Sequence, residues 1–124
     1  MRPTDQTKYG DNGNCLSACI ASLLEIPIKI VPNFISQNRD IPQSVLLNDW
    51  LAPLNLHALY CMTDIMHPEH ATPDGFYILT GTSPRGRLHV VIASGKEIVH
   101  DPHPSRGGLT EVDGFVLILP SATY

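Results

Sequence analysis

Three side chains of this 124-residue chain have the types and spacing to act together on a carbonyl carbon. Cys15 opens an apolar segment of helical period, His89 begins a β-type segment, and Asp101 follows the next β-type segment. A thiolate is a good nucleophile, and it forms where a helix N-terminus stabilises negative charge and an imidazole accepts the thiol proton. An acid bonded to the second ring nitrogen fixes the tautomer of the imidazole. The pattern therefore predicts a nucleophile, its base and an orienting acid.

Helices in the first half of the chain must position Cys15. The apolar residues that follow it recur at the spacing of a helix with one buried face. They are Leu16, Cys19, Ile20, Leu23 and Leu24. Asn14 is placed to cap this helix, and Pro27 marks its end. A second helix is expected from Gln43 to Leu51, with Pro53 stopping it.

The second half of the chain has the composition and period of β-strands. We expect strands at Leu56–Met62, Phe76–Thr80 (ending at Gly81), Leu88–Ala93, Glu97–His100 and Phe115–Leu119. Residues 63–74 are expected to form a loop, and residues 83–86 a turn. Sequential strands with short turns favour an antiparallel sheet. Helices packed on one side of that sheet give an α+β fold, in a single domain spanning residues 1–124.

The twelve-residue interval from His89 to Asp101 suits a β-hairpin. One strand would run out along residues 90–93, turn at Ser94-Gly95-Lys96, and return along residues 97–100. The two ends of such a hairpin lie side by side. We therefore expect the imidazole of His89 to meet the carboxylate of Asp101.

The order of these elements and residues resembles the papain-like cysteine peptidases in a minimal form. In that family the nucleophilic cysteine begins the central helix, a strand histidine is the base, and an Asp or Asn on the next strand orients it. The nearest likeness is to bacteriocin-leader-processing peptidases and their small bacterial and phage relatives. Those proteins carry a Gln, a Cys-opened helix, a His-Val/Phe-Val-Val strand and Asp-Pro. The matching residues here are Gln6, Cys15, His89 and Asp101.

The resemblance implies a thiol hydrolase that cleaves a peptide, isopeptide or related amide bond through an acyl-enzyme thioester on Cys15. It also implies an oxyanion hole formed by the backbone N–H of Cys15 and the side-chain amide of Gln6. Gln6 lies nine residues before Cys15, a longer interval than is usual in the family. Either the intervening residues loop out, or another residue takes the place of Gln6.

Two other functions share this pattern of residues. Deamidases and transglutaminase-type acyl transferases use the same thioester and differ only in what accepts the acyl group. A papain-like protein-binding module would keep the fold and have no turnover. For a peptidase, a deamidase or an acyl transferase, the expected partner is a peptide or protein substrate.

Composition excludes several classes of function. The net charge of −4 and the scattered eight basic residues argue against nucleic-acid binding, which needs clustered Lys and Arg. No apolar run approaches the roughly 20 residues that cross a bilayer, and no basic amphipathic helix suggests membrane binding. Three cysteines are an odd number and form no disulfide framework. With no apolar signal region after Met1, we expect a cytoplasmic protein.

Two stretches rich in possible metal ligands, His67-Pro68-Glu69-His70 and His100-Asp101-Pro102-His103, raise a metal-binding alternative. A metal site needs three or four converging ligands with supporting hydrogen bonds, and the first stretch contains a proline that opposes helical alignment of its histidines. We therefore predict neither a metal nor a cofactor. Cys19, Cys61 and Trp50 are interpreted as core residues.

Overall fold

The fold is described from a computed structural model, which describes residues 1–34, 40–62 and 75–121. These ranges contain two α-helices, α1 (Cys15–Leu24) and α2 (Gln43–Leu51). They also contain five strands: β1 (Leu56–Met62), β2 (Phe76–Thr82), β3 (Leu88–Ser94), β4 (Glu97–His100) and β5 (Glu111–Pro120). The predicted α+β class, with helices first and an antiparallel sheet after them, is confirmed. The loop expected at residues 63–74 lies outside the described residues.

Helix α2 has the predicted bounds, and α1 begins at Cys15 as predicted but ends at Leu24, before Pro27. Strands β2 and β5 are clearly longer than predicted, and β3 is longer by one residue. Strand β2 does not end at Gly81, because it continues to Thr82 across a bulge. A side chain at Gly81 would collide with the backbone of Glu111, so this glycine marks a close approach of two strands rather than a strand end. Strand β5 begins at Glu111 instead of Phe115, with exposed residues over its first three positions.

The sheet is antiparallel throughout, in the order β1-β5-β2-β3-β4. The last strand is therefore inserted between the first and the second, whereas sequential pairing was the expectation from the short turns. Strands β1 and β5 pair from Leu56 opposite Pro120 to Met62 opposite Gly114. A pairing this distant in sequence leaves no local signal, so only the packing of the whole chain reveals it.

Both helices pack on the same face of the sheet, α1 against β3 and α2 against β1. The main core lies between them and contains fully buried side chains from every layer. They include Cys19, Ile20, Leu47, Leu51, Ile78 and Ile92. Helix α1 is buried over most of its surface because Ser17, Ala18, Ala21 and Ser22 are small enough to let neighbouring segments approach.

A smaller cluster of Tyr77, Ala93 and Phe115 packs separately from the main core, and the partly buried Cys61 lies against it. Trp50 is half-buried and packs edge-to-face on Phe34, with ring centroids 6.0 Å apart. No helix in the described ranges has the length and apolar character needed to cross a bilayer.

Truncating the core at α2 should destabilise the protein strongly. Leu47 has no exposed surface, so Leu47→Ala should lower the free energy of unfolding by about 2–5 kcal/mol. Val45 lies on the same helix and is 45% exposed, so Val45→Ala should change it by less than about 0.5 kcal/mol. Urea denaturation followed by circular dichroism measures both. Equal effects of the two substitutions would contradict the packing described for α2.

Candidate active site

Cys15 is the first residue of α1, and its neighbour Asn14 does not act as predicted. Asn14 occupies the N-cap position, but its side chain makes no capping hydrogen bond. Its Oδ1 instead accepts the backbone N–H groups of Thr7 and Lys8, each at 2.9 Å, and its Nδ2 donates to Thr7 Oγ1. The predicted cap does not form because the Asn14 side chain bonds to the preceding loop. The first-turn N–H groups of α1 therefore receive no hydrogen bond from this side chain, and the positive end of the helix dipole lies at Cys15.

His89 and Asp101 meet at the open end of the β3–β4 hairpin, as the interval between them predicted. His89 Nε2 lies 2.7 Å from Asp101 Oδ1, and both side chains are almost fully buried. His89 is the second residue of β3, and Asp101 follows the last residue of β4. A hydrogen bond between buried partners fixes the orientation of the imidazole ring.

The carboxylate of Asp101 is held by three donors. Besides His89, the backbone N–H of His103 donates to Oδ1 at 2.9 Å, and the backbone N–H of Gly108 donates to Oδ2 at 2.7 Å. Burial alone would raise the pKa of Asp101, but these three hydrogen bonds outweigh it and lower the pKa to about 2. Asp101 is therefore ionised throughout the neutral range.

The imidazole of His89 and the thiol of Cys15 line the same two clefts. Burial would lower the pKa of His89, but its hydrogen bond to Asp101 and the interaction with the neighbouring Cys15 raise it to about 9. The ring is therefore positively charged at neutral pH. An imidazolium beside the sulfur stabilises a thiolate, which is the nucleophilic form of cysteine.

Gln6 reaches the same site because the residues after it loop out. Residues 7–14 close on themselves through the hydrogen bond from Asn14 N to the Lys8 carbonyl, around a 3₁₀ turn at Gly10–Asn12. The Gln6 side chain is buried beside Gly13, and its Nε2 donates to the Lys8 carbonyl at 2.9 Å. Its Oε1 is buried without a partner among the described residues. The sequence left two possibilities for the nine-residue interval between Gln6 and Cys15, a loop or a replacement for Gln6. The structure has the loop.

An ion pair ties the Gln6 segment to the loop after Asp101. Arg106 donates to both carboxylate oxygens of Asp5, at 2.6 and 2.8 Å, and also to the backbone carbonyl of Asp101. The backbone N–H of Gln6 donates to the Pro102 carbonyl at 3.0 Å. Asp5 and Arg106 were not among the predicted site residues, since partners 101 positions apart carry no common sequence signal.

Two clefts meet at Cys15 and His89. The smaller one, about 160 Å³, is lined also by Gln6, Tyr9 and His103. The larger one, about 780 Å³, extends from the same two residues along α1 and the sheet. Its lining includes Leu16, Gln43, Tyr60, Thr80 and Val90. An extended substrate lying across Cys15 would therefore contact both clefts.

The remaining candidates lie outside this arrangement. Cys19 is fully buried, and burial raises the pKa of its thiol well above the usual range, so it is unsuited to be a nucleophile. His100 Nε2 lies 2.8 Å from the Thr4 carbonyl, and His103 Nδ1 lies 2.8 Å from Ser105 Oγ. Among the residues that the structure describes, no three His, Cys, Asp or Glu side chains are grouped as metal ligands. The stretch from His67 to His70 lies outside the described residues.

A scan of the sequence against protein-family models, a search of curated proteins and a search of solved structures each gave no match. The functional interpretation consequently depends on the geometry of the site. That geometry places Gln6, Cys15 and His89 on the smaller cleft, and Asp101 bonds to His89 behind it.

The charge of His89 can be tested directly by NMR titration of its ring. We expect the ring to stay protonated through neutral pH and to titrate near pH 9. Asp101→Asn removes the charge partner and should lower this midpoint. By linkage, the stability that protonated His89 contributes is complete below its unfolded-state pKa of about 6.5 and is lost as the pH rises through about 9. A midpoint for His89 at or below 6.5 would contradict the site geometry.

Proposed function

We propose that this protein is a papain-like thiol hydrolase that cleaves a peptide, isopeptide or related amide bond. The observation that carries the proposal is the buried His89–Asp101 hydrogen bond of 2.7 Å, with Cys15, at a helix N-terminus, lining the same clefts as the imidazole. Buried charged groups are expensive unless they are paired. A charged imidazole held beside a thiol is the arrangement that nucleophilic cysteine chemistry requires.

The chemistry would proceed in two stages through a thioester. The Cys15 thiolate attacks the carbonyl carbon of the scissile bond, forming an S–C bond and placing negative charge on the oxygen. Protonated His89 then gives its proton to the leaving nitrogen, the C–N bond breaks, and an amine departs. His89, now neutral, takes a proton from water, and the resulting hydroxide adds to the thioester carbonyl. Collapse breaks the C–S bond, releases a carboxylic acid and regenerates the thiolate.

Gln6 would stabilise the negative oxygen in both stages, together with the backbone N–H of Cys15. One N–H of the Gln6 amide is used by the Lys8 carbonyl, and a second N–H remains on the same nitrogen. The amide is buried and cannot rotate freely, because the Lys8 bond and the adjacent Gly13 fix its position. Donors set in advance around a developing charge are the most effective kind.

Water is the acyl acceptor in this proposal. An amine acceptor would make the protein an acyl transferase, and attack on a side-chain amide would make it a deamidase, with the same first stage. In this proposal the larger cleft, of about 780 Å³, receives the peptide or protein segment that carries the scissile bond. The three free thiols, at Cys15, Cys19 and Cys61, suit a reducing compartment, so we place the reaction in the cytoplasm.

Site-resolved alkylation with iodoacetamide tests the nucleophile. Cys15 is only 9% exposed, whereas Cys61 is partly exposed, so accessibility alone favours Cys61. We expect the opposite order at pH 6–7, with Cys15 labelled at least about tenfold faster, since the thiolate is the reactive form. His89→Ala should remove this advantage. If Cys15 reacts no faster than Cys61 in the wild-type protein, the hydrolase proposal fails and a binding module becomes the better interpretation.

Turnover of a mixed peptide pool, measured by the appearance of new amino termini, tests the individual roles. Cys15→Ala should abolish cleavage, and Gln6→Ala should lower kcat/KM by about 10²–10³ while Cys15 remains reactive to iodoacetamide. Cys19→Ala, one helical turn further along α1, is the matched control and should retain cleavage. Cleavage that persists in Cys15→Ala would assign the activity to another group.

A further inference from the structure

The two clefts that meet at Cys15 differ in charge. Arg85 and Arg87 line the smaller cleft, and no carboxylate is among the described residues that line it. The larger cleft carries two carboxylates, Asp11 and Asp113, and shares Arg87. A substrate lying across Cys15 therefore meets a cationic side and an acidic side.

Arg85 is the cation of the smaller cleft that has no acidic partner among the described residues. Its guanidinium donates to Ser105 Oγ at 2.9 Å. In the described part of the chain, no carboxylate oxygen lies within 4 Å of it. Arg87, by contrast, is paired with Asp11. A guanidinium has five N–H donors in a planar fork that matches a carboxylate, so the described residues leave most of the donors of Arg85 for a ligand.

Apart from the charged ring of His89, the rest of the smaller cleft is uncharged. His103 packs edge-to-face on Tyr9, with centroids 5.4 Å apart, and at 6.3 Å from His89. Burial and the charge of Arg85 lower the pKa of His103, so its ring is uncharged at neutral pH. The volume of about 160 Å³ equals that of about five liquid water molecules. This space accommodates a carboxylate group.

We propose that the smaller cleft binds a carboxylate of the substrate through Arg85, assisted by Arg87, and so selects peptides with a carboxylate close to the bond that Cys15 attacks. This inference rests on the proposed function. The carboxylate belongs either to an acidic side chain or to the C-terminus of the peptide, and the chemistry of recognition is the same for both.

The test compares two alkylating agents of nearly equal size, iodoacetate with a negative charge and iodoacetamide with none. The measured quantity is the ratio of their rates at Cys15, iodoacetate over iodoacetamide, at low ionic strength, with Cys61 as the internal reference. Arg85→Gln should lower this ratio by about 3- to 10-fold, the size of effect expected for one charge a few ångströms away near a protein surface. High salt should reduce the wild-type ratio as well.

Arg2→Gln is the matched control, because it makes the same change of charge elsewhere. The backbone N–H of Arg2 bonds to the Ser22 carbonyl near the C-terminal end of α1, far from Cys15. The ratio at Cys15 should be unchanged in this variant. Expressing the result as a ratio at one thiol also cancels any general change in the exposure of Cys15.

Protection of Cys15 from iodoacetamide distinguishes the two sources of carboxylate. N-acetylglycylglycine offers a terminal carboxylate. The α-amide of N-acetylglutamic acid offers a side-chain carboxylate, and the α-amide of N-acetylglutamine is its neutral counterpart. We expect one or both acids to protect more strongly than the neutral amide, and the difference to vanish in Arg85→Gln.

Each outcome decides between the two proposals. If Cys15 reacts rapidly with iodoacetamide but Arg85→Gln and wild type give the same ratio, the carboxylate subsite is overturned and the hydrolase proposal stands. If Cys15 is slow with both reagents, the hydrolase proposal fails and the subsite fails with it.

Discussion

Burial of the Asp101 carboxylate is the constraint on which the site depends. A buried charge must find hydrogen-bond donors, and Asp101 obtains them from a strand side chain and from two backbone N–H groups of the following loop. The loop from His103 to Gly108 therefore folds around the carboxylate, and the hydrogen bond to Asp101 fixes the orientation of the His89 ring. The same loop supplies Arg106, so one buried charge organises both the base and the connection to the N-terminal segment.

The other half of the site is built by the N-terminal segment in a different way. There the side-chain amide of Asn14 holds the loop of residues 7–14 closed. The closed loop places Gln6 on the smaller cleft. The pair of Asp5 and Arg106 joins this half to the hairpin half. Cys15 and Gln6 thus come from one end of the chain and His89 and Asp101 from the other, and the packing of α1 on β3 sets the distance between them.

The features that could be predicted from the sequence are those set by local patterns of residues. Most of the features that could not be predicted depend on contacts between distant parts of the chain. The helical period after Cys15 and the interval from His89 to Asp101 are local, and the structure has both features as expected. The start of β5 at Glu111 was missed because exposed residues there carry no alternating pattern. The role of Asn14 was missed because the capping rule considers only the helix that follows, and not the loop that precedes it. The partnership of Asp5 with Arg106 spans nearly the whole chain, and no rule of spacing reaches that far.

The position of β5 between β1 and β2 has a consequence during synthesis. Strand β1 is made early, but its pairing partner β5 is the last strand to be made. Until β5 has left the ribosome, β1 has no partner in the sheet, although α2 can already pack on its face. The β2–β3–β4 part of the sheet is complete by residue 100 and can pair before that point. The sheet therefore closes from its C-terminal strands, and β1 stays an unpaired edge until β5 is made.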